Sequence, residues 1–170
     1  MDKELYNRIY HELSLRVESH GVRCYGFEIV QEDDLDILRL YIENDLGVDL
    51  FTCESVSRDI SQYLDTMEDT LPQHYLLEVT SPGLERPLFC QQNFIDNIGQ
   101  TVKVEMVTEP SVVGRLTDAN NLFINIDTGT ENLEIQYKEI KSAHLVFTLA
   151  KGEKKTFKNN VVKIQRRNTM

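Results

Sequence analysis

Few residues of this 170-residue chain stand in patterns that support catalysis. His11-Glu12 is not followed by the second histidine that a metalloprotease helix needs, and no Gly-x-Ser-x-Gly motif offers a serine nucleophile. The eight glycines never cluster into a phosphate-binding loop. Cys24, Cys53 and Cys90 lack Cys-x-x-Cys spacing, so we interpret each of them as a small buried apolar residue in a reducing compartment. The sequence therefore predicts a protein without catalytic residues, cofactor or metal.

The most distinctive segment runs through residues 77–88. Pro82 fixes φ near about −65° and Gly83 accepts a positive φ, so residues 81–84 suit a type II turn. Pro87 then disfavours a helical conformation at Arg86. The segment is predicted to be an elbow between two domains, either as a joint alone or with Arg86 pinning the domains or meeting a partner. This interdomain elbow motif comprises Ser81, Pro82, Gly83, Leu84, Arg86 and Pro87.

Charge is distributed unevenly along the chain. The net charge is −10 overall, made up of −12 over residues 1–93, −4 over 94–150 and +6 over 151–170. An acidic front half repels phosphate and attracts a basic partner. Its candidate acidic docking tip is Glu32, Asp33, Asp34 and Asp36. The candidate rRNA contacts of the basic tail are Lys154, Lys155, Lys158, Lys163, Arg166 and Arg167.

The elements that must position these residues fall into a front and a back half. In residues 1–90, apolar positions spaced by three or four predict two helices, with Asp2 and Asp49 as N-caps. Alternating positions predict two strands joined at Glu32-Asp33-Asp34 and a third strand over residues 75–80. The order α-β-β-α-β predicts an α+β sandwich, with the helices on one sheet face and the other face exposed and acidic.

The back half, residues 91–150, has five short alternating segments separated by turn signals. This pattern favours a small closed or half-closed β-barrel, either SH3-like or OB-like. Residues 151–170 form a basic C-terminal tail in which Val161-Val162-Lys163-Ile164 either adds a strand or frays. The longest apolar runs are far shorter than the ~20 residues that span a bilayer, so we expect a soluble cytoplasmic protein without membrane contact.

Residues 75–88, YLLEVTSPGLERPL, closely resemble the signature of the ribosome maturation factor RimP family. Weaker similarities follow in the family's order at residues 25–28, 38–42, 53–58, 94–99 and 140–145. The resemblance implies an α+β amino-terminal domain and an SH3-like (Sm-like) barrel. It also implies a non-enzymatic cytoplasmic factor for maturation of the small ribosomal subunit, which binds the free immature subunit and a basic ribosomal protein of its decoding region.

Two functions from different classes follow. The first is the assembly factor, with an acidic domain that screens a basic ribosomal protein and with possible contact to rRNA. The second is an Sm-like RNA-binding regulatory protein that acts through the barrel and the basic tail. In both cases we expect a monomer.

Overall fold

The structure is a computed structural model and describes residues 3–67, 70–72, 74–147 and 161–167. Two compact units divide the chain: the first contains the described parts of Met1–Pro82 and Phe157–Met170, and the second those of Gly83–Thr156. In chain order the elements are α1 (Lys3–Glu18), β1 (Arg23–Glu32), β2 (Leu35–Glu43), α2 (Leu50–Leu64), a 3-10 turn (Asp65–Met67), β3 (His74–Thr80), α3 (Gln91–Asp96), β4 (Thr101–Met106), β5 (Val112–Ala119), β6 (Phe123–Asp127), β7 (Asn132–Gln136), a second 3-10 turn (Tyr137–Glu139), β8 (Ile140–Leu145) and β9 (Val161–Arg167).

The first unit is a four-stranded sheet with two helices packed on one face. The strand order is β1-β2-β3-β9, with β2 and β3 parallel and the other neighbours antiparallel. The helices bury one side of every strand, which gives an apolar core of Phe27, Leu38, Leu40, Leu77 and Val79 beneath them. Two sheets and three helices in the described residues are consistent with the predicted α+β class.

The sequence explains where α2 begins and which face it buries. The Asp49 carboxylate accepts a hydrogen bond from the Thr52 amide at 2.7 Å, which satisfies one of the free donors at the helix start. Cys53, Val56 and Ile60 then recur at three- and four-residue spacing and are fully buried. The predicted cap and apolar face of this helix are confirmed. The predicted cap of the first helix, Asp2, lies outside the described residues.

A β-bulge in β1 changes the face on which its first residues lie. Cys24 is opposite Ile42 and Gly26 is opposite Tyr41, so the register shifts at Tyr25, which is the extra residue of the bulge. Cys24, and not Tyr25, therefore shares the core side with Phe27. A simple alternation of faces along residues 25–29 therefore does not extend to Tyr25, because strand alternation breaks at a bulge.

The sheet face away from the helices also differs from the expectation that it is exposed and acidic. Ile37, Tyr41, Glu78 and Thr80 all lie on this face and all are buried. The acidic Glu78 is not isolated there, because it has positively charged neighbours on both adjacent strands. Strand periodicity identifies the two faces of a sheet but does not say how far the polar face is covered.

The second unit is a five-stranded antiparallel sheet in the order β7-β6-β5-β4-β8. Its core contains Val102, Val104, Leu116, Ile124 and Ile126, all of them fully buried. No ladder joins the edge strands β7 and β8 in the described residues, so a closed barrel is not found and the SH3-like barrel stays a prediction.

The short helix α3 at the start of the second unit was not predicted from the sequence. The Asn93 side-chain oxygen accepts hydrogen bonds from the amides of Phe89 and Cys90, at 2.9 and 3.2 Å. These bonds hold the helix start, and Phe94 is the residue that α3 buries. Six residues are too few to produce a recognisable helical period, which is why the pattern gave no signal.

The cysteines lie in three different environments, and we expect them to differ in reactivity. Burial raises the pKa of the Cys24 thiol to about 11, and burial also raises the pKa of Cys53. Cys90 is exposed. Because the thiolate is the reactive form, alkylation with iodoacetamide at pH 8 should modify Cys90 quickly and the other two slowly. Peptide mass spectrometry over time measures this. Equal rates at Cys24 and Cys90 in folded protein would contradict it.

Candidate functional site

The predicted acidic tip is the turn of the β1–β2 hairpin. Asp33 and Asp34 occupy its two central positions with φ of 50° and 64°, while Glu32 and Leu35 pair on either side. Two successive positive φ values are those of a type I′ turn, whose twist matches that of the flanking strands. Aspartate tolerates this region better than most residues with a Cβ. The hairpin therefore presents two exposed carboxylates at its end.

The structure divides the four tip residues between two faces. Glu32 lies on the side away from the helices, where its carboxylate accepts a hydrogen bond from Arg39 at 2.9 Å. Asp36 alternates with Ile37 and so belongs to the helix-covered side, where it is half-buried. Only Asp33 and Asp34 project at the turn. The acidic tip is thus narrower than predicted.

Four charged residues form a row across the polar face of the first sheet. Glu28, Arg39, Glu78 and Lys163 are direct partners in the register of β1, β2, β3 and β9. Their signs alternate from strand to strand. We call these four residues the charged row.

Arg39 makes the closest contacts in the charged row. Its Nε lies 3.2 Å from Glu78 Oε1 and its Nη2 lies 3.3 Å from Glu78 Oε2, so the guanidinium meets both carboxylate oxygens. Glu28 Oε1 is 3.9 Å from Arg39 and accepts a hydrogen bond from the Tyr41 hydroxyl at 2.8 Å. On the far side, Lys163 Nζ lies 3.5 Å from Glu78 Oε2.

Burial makes these charges depend on one another. The Arg39 side chain is 19% exposed and that of Glu78 only 8%. Burial alone would lower the pKa of Arg39, but hydrogen bonds to Glu78 and Glu32 outweigh it and raise the pKa. Burial, followed by the Glu28 charge, raises the pKa of Tyr41. Arg39 and Tyr41 therefore both keep their protons at any physiological pH.

Residues 13–85 match the family model of the RimP N-terminal domain. This chain carries a RimP N-terminal domain. The resemblance to the RimP family that the sequence suggested is confirmed over this range, which begins within α1 and ends in the elbow motif. The RimP family is a family of ribosome maturation factors, and it is not known as an enzyme family.

The RimP N-terminal domain ends in the elbow motif, and the structure gives this segment a definite local conformation. Gly83 has φ of 67°, which confirms the predicted positive φ. The central residues of the turn are Leu84 and Glu85, two positions later than the expected Pro82 and Gly83. Arg86 and Leu88 then exchange backbone hydrogen bonds with Leu145 and Ala143, so this end of the motif is attached to β8. A role for the motif between domains stays a prediction.

The candidate rRNA contacts are only partly described. Lys154, Lys155 and Lys158 lie outside the described residues. The backbones of Arg166 and Arg167 pair with β3, opposite Tyr75 and His74. Lys163 is described fully, and its contact with Glu78 gives it a structural partner within the RimP N-terminal domain's own sheet. The open question about Val161–Ile164 is answered, since these residues add a strand.

Sequence reasoning missed the charged row beside the RimP N-terminal domain's core. A signal was present, because each of the three predicted strands has one charged residue in its middle, at a position that alternates with the apolar ones. What the sequence lacked was the order of the strands, which decides that these residues are neighbours.

The described residues contain neither a metal-binding cluster nor a membrane-spanning helix. No group of three or more His, Cys, Asp or Glu side chains there could hold a metal ion. No helix of that part of the chain is long and apolar enough to cross a membrane.

Proposed function

We propose that this protein is a non-enzymatic assembly factor that acts in the cytoplasm, as a monomer, on the free immature small ribosomal subunit. In this role its RimP N-terminal domain binds a basic ribosomal protein of the decoding region, with rRNA as a possible second contact. The match over residues 13–85 carries the proposal, because it assigns the domain to a family of ribosome maturation factors.

The charge of the first 93 residues supports a basic protein as the partner. Their net charge of −12 attracts cations over a distance of about a Debye length and repels RNA phosphate. Asp33 and Asp34 are exposed at the hairpin turn, and no hydrogen bond or ion pair of the kind that ties Glu32 to Arg39 is described for them. Their charge is therefore available for a docking partner.

The proposal predicts cosedimentation with free small subunits and not with whole ribosomes. The sharper test uses Asp33→Asn with Asp34→Asn, because asparagine retains the positive φ of this turn. We expect about a two- to fivefold lower association rate at low ionic strength, and a smaller difference at high salt. Glu32 and Asp36 stay unchanged in this variant, since Glu32 supports Arg39.

A matched control removes the same charge elsewhere. Glu131→Gln with Glu134→Gln changes two exposed carboxylates in the second unit and should leave the association rate nearly unchanged. Equal slowing by both pairs would mean that net charge, and not the hairpin tip, governs the encounter. Binding that prefers deproteinised rRNA over the free subunit would favour the RNA-binding regulator instead.

A further inference from the structure

The first unit exposes three large apolar side chains within six residues. Leu46 is 96% exposed, Leu50 is 53% exposed and Phe51 is 76% exposed. They occupy the connection from β2 to α2 and the first turn of α2. Because five residues of chain reach at most about 18 Å, the Cα atoms of all three lie within that distance of one another. We call them the apolar patch.

The chain holds this patch outward through a well-bonded loop. The Gly47 amide donates to the Asn44 carbonyl at 2.9 Å, and the Leu46 amide donates to the Asn44 side chain at 3.1 Å. The Asn44 amide group donates in turn to the Gly21 carbonyl at 3.1 Å, which ties the loop to the end of α1. With Asp49 capping α2, both ends of the loop are fixed. The exposure of Leu46 and Phe51 is therefore set by the fold.

The surroundings of the patch are acidic. Residues 43–54 contain Glu43, Asp45, Asp49 and Glu54 and no lysine or arginine. Arg23 lies 2.7 Å from Asp45 and Arg58 contacts Glu54, so part of this charge is balanced by neighbours. The balance remains negative. A second copy of this chain, with its net charge of −10, would be repelled, and so would RNA.

We infer that the apolar patch is an anchor for a cationic protein segment whose apolar side chains cover Leu46, Leu50 and Phe51 while its basic residues meet the surrounding carboxylates. This inference rests on the proposed function, because the segment belongs to a basic protein of the small subunit. The patch is distinct from the acidic tip. The strand β2 between them has nine residues and spans about 30 Å.

The two surfaces should contribute differently to binding. Charge at the exposed hairpin tip acts at a distance and affects the association rate. Apolar side chains that become buried on binding hold the complex together and affect the dissociation rate. The combination explains why an acidic domain keeps three large apolar side chains exposed to water.

The test uses a full-length double variant that carries both Leu46→Ser and Phe51→Ser. The control is the single variant Leu122→Ser. Leu122 is 73% exposed in the second unit and is a matched control for lost surface hydrophobicity. The probe is purified free small ribosomal subunit. We expect the double variant to dissociate about 30-fold faster, with an association rate within about twofold of the unchanged protein. All three proteins should melt within about 2 °C of one another, because the substituted side chains are exposed.

A photo-crosslinking residue at position 51 identifies the occupant. A crosslink to a basic protein of the subunit supports the inference, whereas a crosslink to rRNA or to a second copy of this chain overturns it. If the double variant dissociates as slowly as the unchanged protein, the patch is not the anchor, although the proposed function stands. If the unchanged protein does not bind free subunits, the proposed function itself fails.

Discussion

Arg39→Met should lower the free energy of unfolding of the first unit by about 3–5 kcal/mol, since it leaves the buried Glu78 carboxylate without its closest partner. Glu28, Glu32 and Glu78 all lie within 4 Å of this guanidinium. Without it, the cation that the structure still describes in contact with one of these three carboxylates is Lys163, next to Glu78. Methionine has a similar length and keeps most of the packing, so the loss reports the charge. Urea unfolding followed by circular dichroism measures the loss.

The chain provides a matched control at Arg23. Arg23 pairs with Asp45 at 2.7 Å, but its side chain is 58% exposed. Arg23→Met should therefore cost less than about 1 kcal/mol, as exposed ion pairs do. Combining Arg39→Met with Glu78→Leu should recover part of the stability, because an apolar pair replaces the buried ionic one. Similar losses for Arg39→Met and Arg23→Met would show that the charged row contributes no more than a surface pair.

Gly114→Ala should destabilise the second unit by about 3 kcal/mol, at the upper end of what one methyl group costs in a packed site. A Cβ at this position would lie 2.5 Å from the Asp127 carbonyl oxygen and 2.6 Å from the Ile126 side chain. The carbonyl belongs to the paired strand β6, so it cannot move without loss of ladder hydrogen bonds. Amide hydrogen exchange should quicken in β5 and β6 and stay unchanged in β1 and β2.

The variant Gly21→Ala is a control for Gly114→Ala. It separates the steric clash at Gly114 from the loss of backbone flexibility that follows when any glycine is replaced by alanine. Gly21 has φ of 75° and open space around its Cβ position. Gly21→Ala should cost about 1 kcal/mol, from backbone strain alone. If Gly114→Ala costs no more than Gly21→Ala, the close approach of β6 does not constrain β5.

The sequence predicted the elements that depend on local chemistry. Asp49 as the cap of α2, the buried positions of that helix and the turn at Asp33-Asp34 are set by residues within a few positions of one another. What it could not predict depends on distant residues. The charged row requires that Glu78 pair with Arg39 on one side and with Lys163 on the other. Local periodicity carries no information about which strands are neighbours.

The candidate site, too, could be predicted only where its residues are close together in the sequence. The acidic tip was predicted because its four residues lie within five positions of one another, but the side chain of Asp36 faces away from that of Glu32 by strand alternation. The apolar patch was not found, since Leu50 and Phe51 read as part of an ordinary amphipathic helix. Only burial distinguishes them from the apolar residues of the same helix that enter the core.

The return of β9 to the first sheet has a consequence for the order of events during synthesis. β3 is complete at Thr80, but its outer neighbour begins only at Val161. At about 5–20 residues per second, a ribosome needs on the order of 4–16 s to make the intervening chain. During that interval the backbone groups along one edge of β3 lack the hydrogen bonds that β9 will provide. Glu78 likewise lacks its contact with Lys163. An open edge of this kind can pair with other chains. The nascent protein therefore passes through a stage that is prone to aggregation and ends when β9 arrives.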